Sequence, residues 1–174
     1  MRAFIGILIP ENLKKKIEEI QEKIKKMPLK AKFVERENLH ISLSFLGEIP
    51  DENLEFYKKE LDKISRSFKK FKVDIGKIKF IPSENYIRVI AFEAIGEDLD
   101  KLRKIIVNNI GGDSKPAHIT LCRIKSISEK NKIISELSEI KLNESFIVEK
   151  INLIKSELKK NGPIYMTIHE SFLT

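Results

Sequence analysis

Apolar residues recur along this chain with two different periods. Leu13, Ile17, Ile20 and Ile24 fall at helical spacing behind Pro10, a residue that the first helical turn tolerates, and Met27-Pro28 closes the run. Leu54, Tyr57, Leu61, Ile64 and Phe68 repeat the pattern, with Asp51 as its expected N-cap. Leu99, Leu102, Ile106 and Ile110 predict a third helix that Gly111-Gly112 ends, and Ile127, Ile134 and Leu137 a less regular fourth. Between them lie β-rich runs at 2–8, 39–46, 71–80, 86–94, 117–124, 145–155 and 164–172. The order is strand, helix, strand, helix, strands, then helix, strand, helix, strands. The two halves share a layout without a strict repeat. The expected fold is α+β, with two similar lobes, each an antiparallel-type sheet covered by helices, and a cleft between them. No Gly/Ser/Pro linker divides the chain, so residues 1–174 are expected to form one bilobal domain.

One short word is written twice. "HISL" starts at His40 and "HITL" at His118, and these use two of the three histidines in the chain. Each lies in a predicted strand at a corresponding place in its half. Side chains in a strand alternate between faces, so His40 and Ser42 share one face, as do His118 and Thr120. The intervening Ile41, Leu43, Ile119 and Leu121 anchor the strands in the core. Pseudo-two-fold packing would bring the two polar faces together across a cleft.

Two opposed imidazoles suit acid–base chemistry near neutral pH, because the unperturbed group titrates there. In-line displacement at phosphorus uses such a pair: a base for the attacking water and an acid for the departing oxygen. The Ser42 and Thr120 hydroxyls can donate to non-bridging phosphoryl oxygens. A single His-x-Thr is ordinary strand chemistry; two in matching places are not. A zinc site is the sharper rival, but two histidines supply fewer ligands than zinc uses, and Cys122 adds little. No cofactor or metal is expected.

Composition narrows the class further. The 174 residues are 41% hydrophobic, enough for a core, and 34% charged. The apolar runs are too short to span a bilayer, and "MRAFIGILIP" reads as a strand, not a signal peptide. One cysteine excludes an internal disulfide and fits a reducing cytoplasm. The formal charge of +7 favours a polyanionic partner, although runs such as "KKKIEEIQEKIKK" are mixed in sign and solvate a helix face.

The paired words resemble those of the two-histidine phosphoesterase superfamily, most closely the RNA 2′,3′-cyclic phosphodiesterases, also called 2′-5′ RNA ligases. "RAFIGILIP" resembles that family's opening strand, "ENLHISLSFLGEIP" and "AHITLCRIK" its two motif regions, and "INLIKSELKKNGPIYMTI" its C-terminal stretch. The resemblance implies metal-free hydrolysis of RNA 2′,3′-cyclic phosphate ends to 2′-phosphate ends. It also implies reversible 2′-5′ joining of RNA ends, as with tRNA halves. By the same resemblance His40 matches the proton donor and His118 the proton acceptor. Ser42, Thr120 and Arg123 match phosphate-contacting positions, although threonine is usual where Ser42 stands. Strict alternation puts Arg123 opposite His118; a bulge, or the strand's end, would turn it back. Alternation also assigns Phe45 to the core and Cys122 to the histidine face, there as a small packing residue. Tyr165 is a candidate for stacking on a base or for core packing. His169 has no partner hydroxyl and reads as structural or exposed. The expected partner is RNA with cyclic phosphate ends, met by a monomer. An RNA-end-binding module with little turnover, or a phosphodiesterase for a non-RNA cyclic phosphate, is the alternative.

Overall fold

The computed structural model describes residues 1–174. Its strands are β1 (Arg2–Leu8), β2 (Leu29–Phe33), β3 (His40–Glu48), β4 (Phe71–Pro82), β5 (Ile87–Ile95), β6 (His118–Ile127), β7 (Ser145–Val148), β8 (Lys150–Lys159) and β9 (Gly162–Phe172). Four helices interleave with them: α1 (Glu11–Lys25), α2 (Leu54–Arg66), α3 (Glu97–Asn109) and α4 (Lys130–Ser138). The strands form one sheet in the order β7-β4-β5-β6-β3-β1-β8-β9, with β2 also paired to β6. Every named strand pair is antiparallel.

The two lobes meet at β3 and β6, which are joined through Ile41 and Ile119 alone. β1, β3, β8 and β9 make one lobe; β4, β5, β6, β7 and β2 make the other. The lobes are not the two halves of the sequence. The hairpin β8–β9 returns from the C-terminal half to pair with β1, and β2 leaves the N-terminal half to pair with β6.

The helical stripes bury as their spacing predicts. Leu13, Ile17, Ile20 and Ile24 of α1 lie in the core, and α1 packs on β2 and β6. Helix α2 lies on β8 and β9, where Asp62 accepts hydrogen bonds from His169 Nε2 at 2.8 Å and Ser171 Oγ at 2.6 Å. His169 is therefore structural. Helix α3 packs on β3, β4 and α2, and α4 on β4.

Four local expectations need correction. Asp51 does not cap α2: Pro50 precedes a short 3-10 turn at Asp51–Asn53, and α2 starts at Leu54. Ile127 ends β6, so the fourth helix starts later, at Lys130. The run at 145–155 is two strands, because β7 pairs with β4 and β8 with β1 on opposite sides of the sheet. β2 escaped notice because its Leu-Lys-Ala-Lys-Phe alternation is short and lysine-rich.

Candidate active site

The two repeated words behave alike. The first six residues of β3 and of β6 have the same burial sequence: two half-buried polar residues, each followed by a buried aliphatic, then one further buried residue, then an exposed one. His40, Ser42, His118 and Thr120 line one cavity of about 640 Å³. Antiparallel pairing at Ile41 and Ile119 turns His40 toward Thr120 and Ser42 toward His118.

Each imidazole is tethered in the same way. His40 Nδ1 lies 2.7 Å from the carbonyl oxygen of Asn38, and His118 Nδ1 lies 2.8 Å from that of Pro116. A carbonyl only accepts, so each Nδ1 carries the hydrogen. Each Nε2 is left to accept a proton or, in the imidazolium, to donate one.

The surroundings differ. The His40 ring packs against Phe4, with centroids 4.8 Å apart, and edge-on against Tyr165 at 5.3 Å. Burial is the main force lowering the pKa of His40. The Asn38 carbonyl opposes it, and the positive fields of His118 and Arg123 add to it. Tyr165 packs on Phe4 at 5.0 Å, and burial raises its hydroxyl pKa.

Matched β-bulges decide what else enters the cleft. Opposite β1, Ser44 pairs with Ile5 and Ser42 with Gly6, so Leu43 is the extra residue. Opposite β5, Cys122 pairs with Ile90 and Thr120 with Ala91, so Leu121 is the extra residue. One added residue reverses the alternation downstream. Arg123 therefore returns to the face of His118 and Thr120 and lines the cleft. Phe45 does the same beside Ser42, which corrects its assignment to the core: it is 37% exposed, with the Arg2 guanidinium 4.9 Å from its ring centre. Cys122 moves the other way. It is fully buried in the core and not on the histidine face, and burial pushes its thiol up to about 12. It is a packing residue.

The bulges have identifiable supports. At Gly6 an added Cβ would sit 2.9 Å from the carbonyl oxygen of Ile41, so only glycine lets β1 approach bulged β3 this closely. The carbonyl of Leu121 accepts from Val34 N at 3.0 Å and from Gln21 Nε2 at 2.9 Å. Gln21 also donates to the Val34 carbonyl at 3.0 Å. This buried amide on α1 is the only glutamine in the chain.

The cleft thus gathers all six residues singled out in the sequence: His40, Ser42, His118, Thr120, Arg123 and Tyr165. Sequence reasoning missed Arg2, Phe4, Lys32 and Asn38, which also line it. Phe4 had a usable signal, since alternation puts it on the face of Gly6. Phe45 had another: like Arg123, it stands five residues after its histidine. No group of three or more His, Cys, Asp or Glu side chains is placed to hold a metal ion.

The family described as LigT like Phosphoesterase matches residues 7–91 and 93–165, which takes in both histidine words. The chain belongs to this LigT-like phosphoesterase family. An RNA 2′,3′-cyclic phosphodiesterase of Methanocaldococcus jannaschii is 37% identical, with 98% of this chain and 99% of the relative aligned. One from Aquifex aeolicus is 30% identical over 99% of this chain and 97% of the relative. Among solved structures, the Thermus thermophilus protein TT0787 superposes with a TM-score of 0.86 at 25% identity, covering 99% of this chain and 98% of that one. Escherichia coli LigT in complex with 3′-AMP shares the fold, with a TM-score of 0.77 at 21% identity over 99% of this chain and 98% of that one. The LigT-like fold is two-lobed, and the cleft described above runs between the lobes.

Proposed function

We propose that this LigT-like phosphoesterase hydrolyses RNA 2′,3′-cyclic phosphate ends to 2′-phosphate ends by histidine acid–base catalysis. The observation that carries the reading is the matched pair of Nδ1-tethered imidazoles, each beside a hydroxyl, in one cleft. His118 Nε2 takes a proton from water, and the water oxygen forms a bond to phosphorus. The bond from phosphorus to the 3′-oxygen breaks in line, and His40 Nε2 gives that oxygen a proton. Burial of His40 makes its imidazolium a stronger acid, and an anionic phosphate in the cleft offsets the cost of charging it. Ser42, Thr120 and Arg123 meet the non-bridging oxygens, where hydroxyl and guanidinium donors stabilise developing charge. A 5′-hydroxyl in place of water gives a 2′-5′ linkage by the same step, which is the joining reaction expected for substrates such as tRNA halves.

Phe45 offers an exposed aromatic face and Tyr165 a half-buried one to a nucleobase. Both histidine words come from one chain, so a single copy completes the site. We therefore read residues 1–174 as one bilobal domain acting as a monomer. No helix is long and apolar enough to cross a membrane. The lone, buried thiol supports a cytoplasmic location. Phosphorus NMR of a product made from a 2′,3′-cyclic nucleotide tests the proposal. A 2′-monophosphate is expected. A 3′-monophosphate would show that the substrate binds the other way round, and no turnover would reduce the protein to an RNA-end binder.

A further inference from the structure

A second hollow, of about 490 Å³, adjoins the cleft. The wall between them is the turn of the β8–β9 hairpin. Asn38, Lys159, Pro163 and Tyr165 line both spaces, whereas Lys160 and Glu37 line only the second. The wall is held in place: Asn38 Nδ2 donates to the Pro163 carbonyl at 3.0 Å, and the Asn38 carbonyl tethers His40. The hollow therefore opens at the His40 end of the cleft.

Stereochemistry says which part of a substrate reaches it, given the roles proposed above for the two histidines. His40 faces the 3′-oxygen. C3′ carries that oxygen and is bonded to C4′, which carries C5′ and the phosphate leading to the preceding nucleotide. The strand therefore leaves the cleft on the His40 side. C2′ is bonded to C1′, so the base leaves on the other side, toward exposed Phe45. Lys160 supplies positive charge where the preceding phosphate would pass, whereas Lys159 is paired with Glu157 at 3.3 Å. Glu37 also lines the hollow and can accept hydrogen bonds from ribose hydroxyls or base amino groups.

We infer that the second hollow is a binding site for the nucleotide preceding the cyclic end, with Lys160 as its phosphate contact. This rests on the proposed function and adds a second nucleotide subsite to it.

The test compares kcat/KM for a 2′,3′-cyclic mononucleotide and for a trinucleotide with the same cyclic terminus. Both are measured over a range of salt with the wild-type protein, Lys160→Ala and Lys160→Glu, and thermal melts verify folding. The trinucleotide should be favoured by about fivefold or more, the upper range for one exposed charge contact together with packing of the extra base. Lys160→Glu should remove most of that advantage and leave mononucleotide turnover within about twofold, inside the span of a marginal surface contact. Lys160→Ala should make the salt slope for the trinucleotide shallower by about 0.7, one phosphate contact on a single strand. Equal rates on the two substrates would overturn the inference while leaving the hydrolase intact. So would a Lys160→Glu effect that is absent or the same for both. Failure to hydrolyse either substrate would overturn the proposed function, and this inference with it.

Discussion

Ile41 and Ile119 face each other as the pair that joins β3 to β6, and both are fully buried. A cleft-lining histidine lies one residue from each. Core packing at this pair therefore helps to hold the two histidine words against each other. Ile119→Ala should lower unfolding free energy by about 2–5 kcal/mol, the usual cost of this truncation in a closed core. Urea denaturation measures it. A loss below about 1 kcal/mol would mean the lobes are held together elsewhere.

The roles of the histidines can be separated by pH, because each single variant leaves one titrating imidazole. As the proposed acid, His40 can donate only when protonated. Its pKa is lowered by burial, so its protonated form is complete below that lowered value and lost as pH rises through it. The residual kcat/KM of His118→Ala should fall as pH rises, with its midpoint below the ordinary imidazole value of about 6.5. Residual activity of His40→Ala should instead climb with pH. Each variant should lose roughly 10²- to 10⁴-fold at the optimum. Opposite slopes would exchange the two roles.

Gln21 tests whether the bulge matters to the chemistry. Its amide holds the carbonyls of Leu121 and Val34, and the bulge at Leu121 is what turns Arg123 into the cleft. Gln21→Met keeps the volume and removes both hydrogen bonds. We expect a folded protein whose kcat/KM falls by about 10-fold and up to about 10²-fold, as small misplacements of a binding group do. In an Arg123→Ala background the same change should cost little, because its target is already gone. Additive losses would show that Gln21 acts independently of Arg123.

Activity should persist in excess EDTA. The cleft offers two imidazoles and two hydroxyls, and no third strong ligand converges on them. Activity lost to EDTA and restored by zinc or manganese would replace the acid–base mechanism with a metal-assisted one.

Local chemistry explains why much of this was legible early. The helical stripe at Leu13, Ile17, Ile20 and Ile24, and the alternation within each histidine word, are periodicities carried by neighbouring residues. They needed no tertiary information. His40 with Ser42, and His118 with Thr120, share faces for the same reason. What alternation could not reveal was where it stops. Phe45, Cys122 and Arg123 all lie just beyond a bulge. Whether a strand takes an extra residue depends on its neighbours: Gly6 on β1, Val34 beyond β2 and Gln21 on α1. Those residues are distant in sequence, and only the folded chain brings them together. The lobes follow the same logic. The repeated layout suggested that each half folds on itself, but β2 and the β8–β9 hairpin exchange sides, because strand pairing is decided by edges available in space, not by order along the chain. The amino-acid sequence by itself determined which imidazoles and hydroxyls share a strand face. The tertiary structure decided which arginine and which aromatic ring reach them, since a one-residue register shift reverses every side chain that follows it.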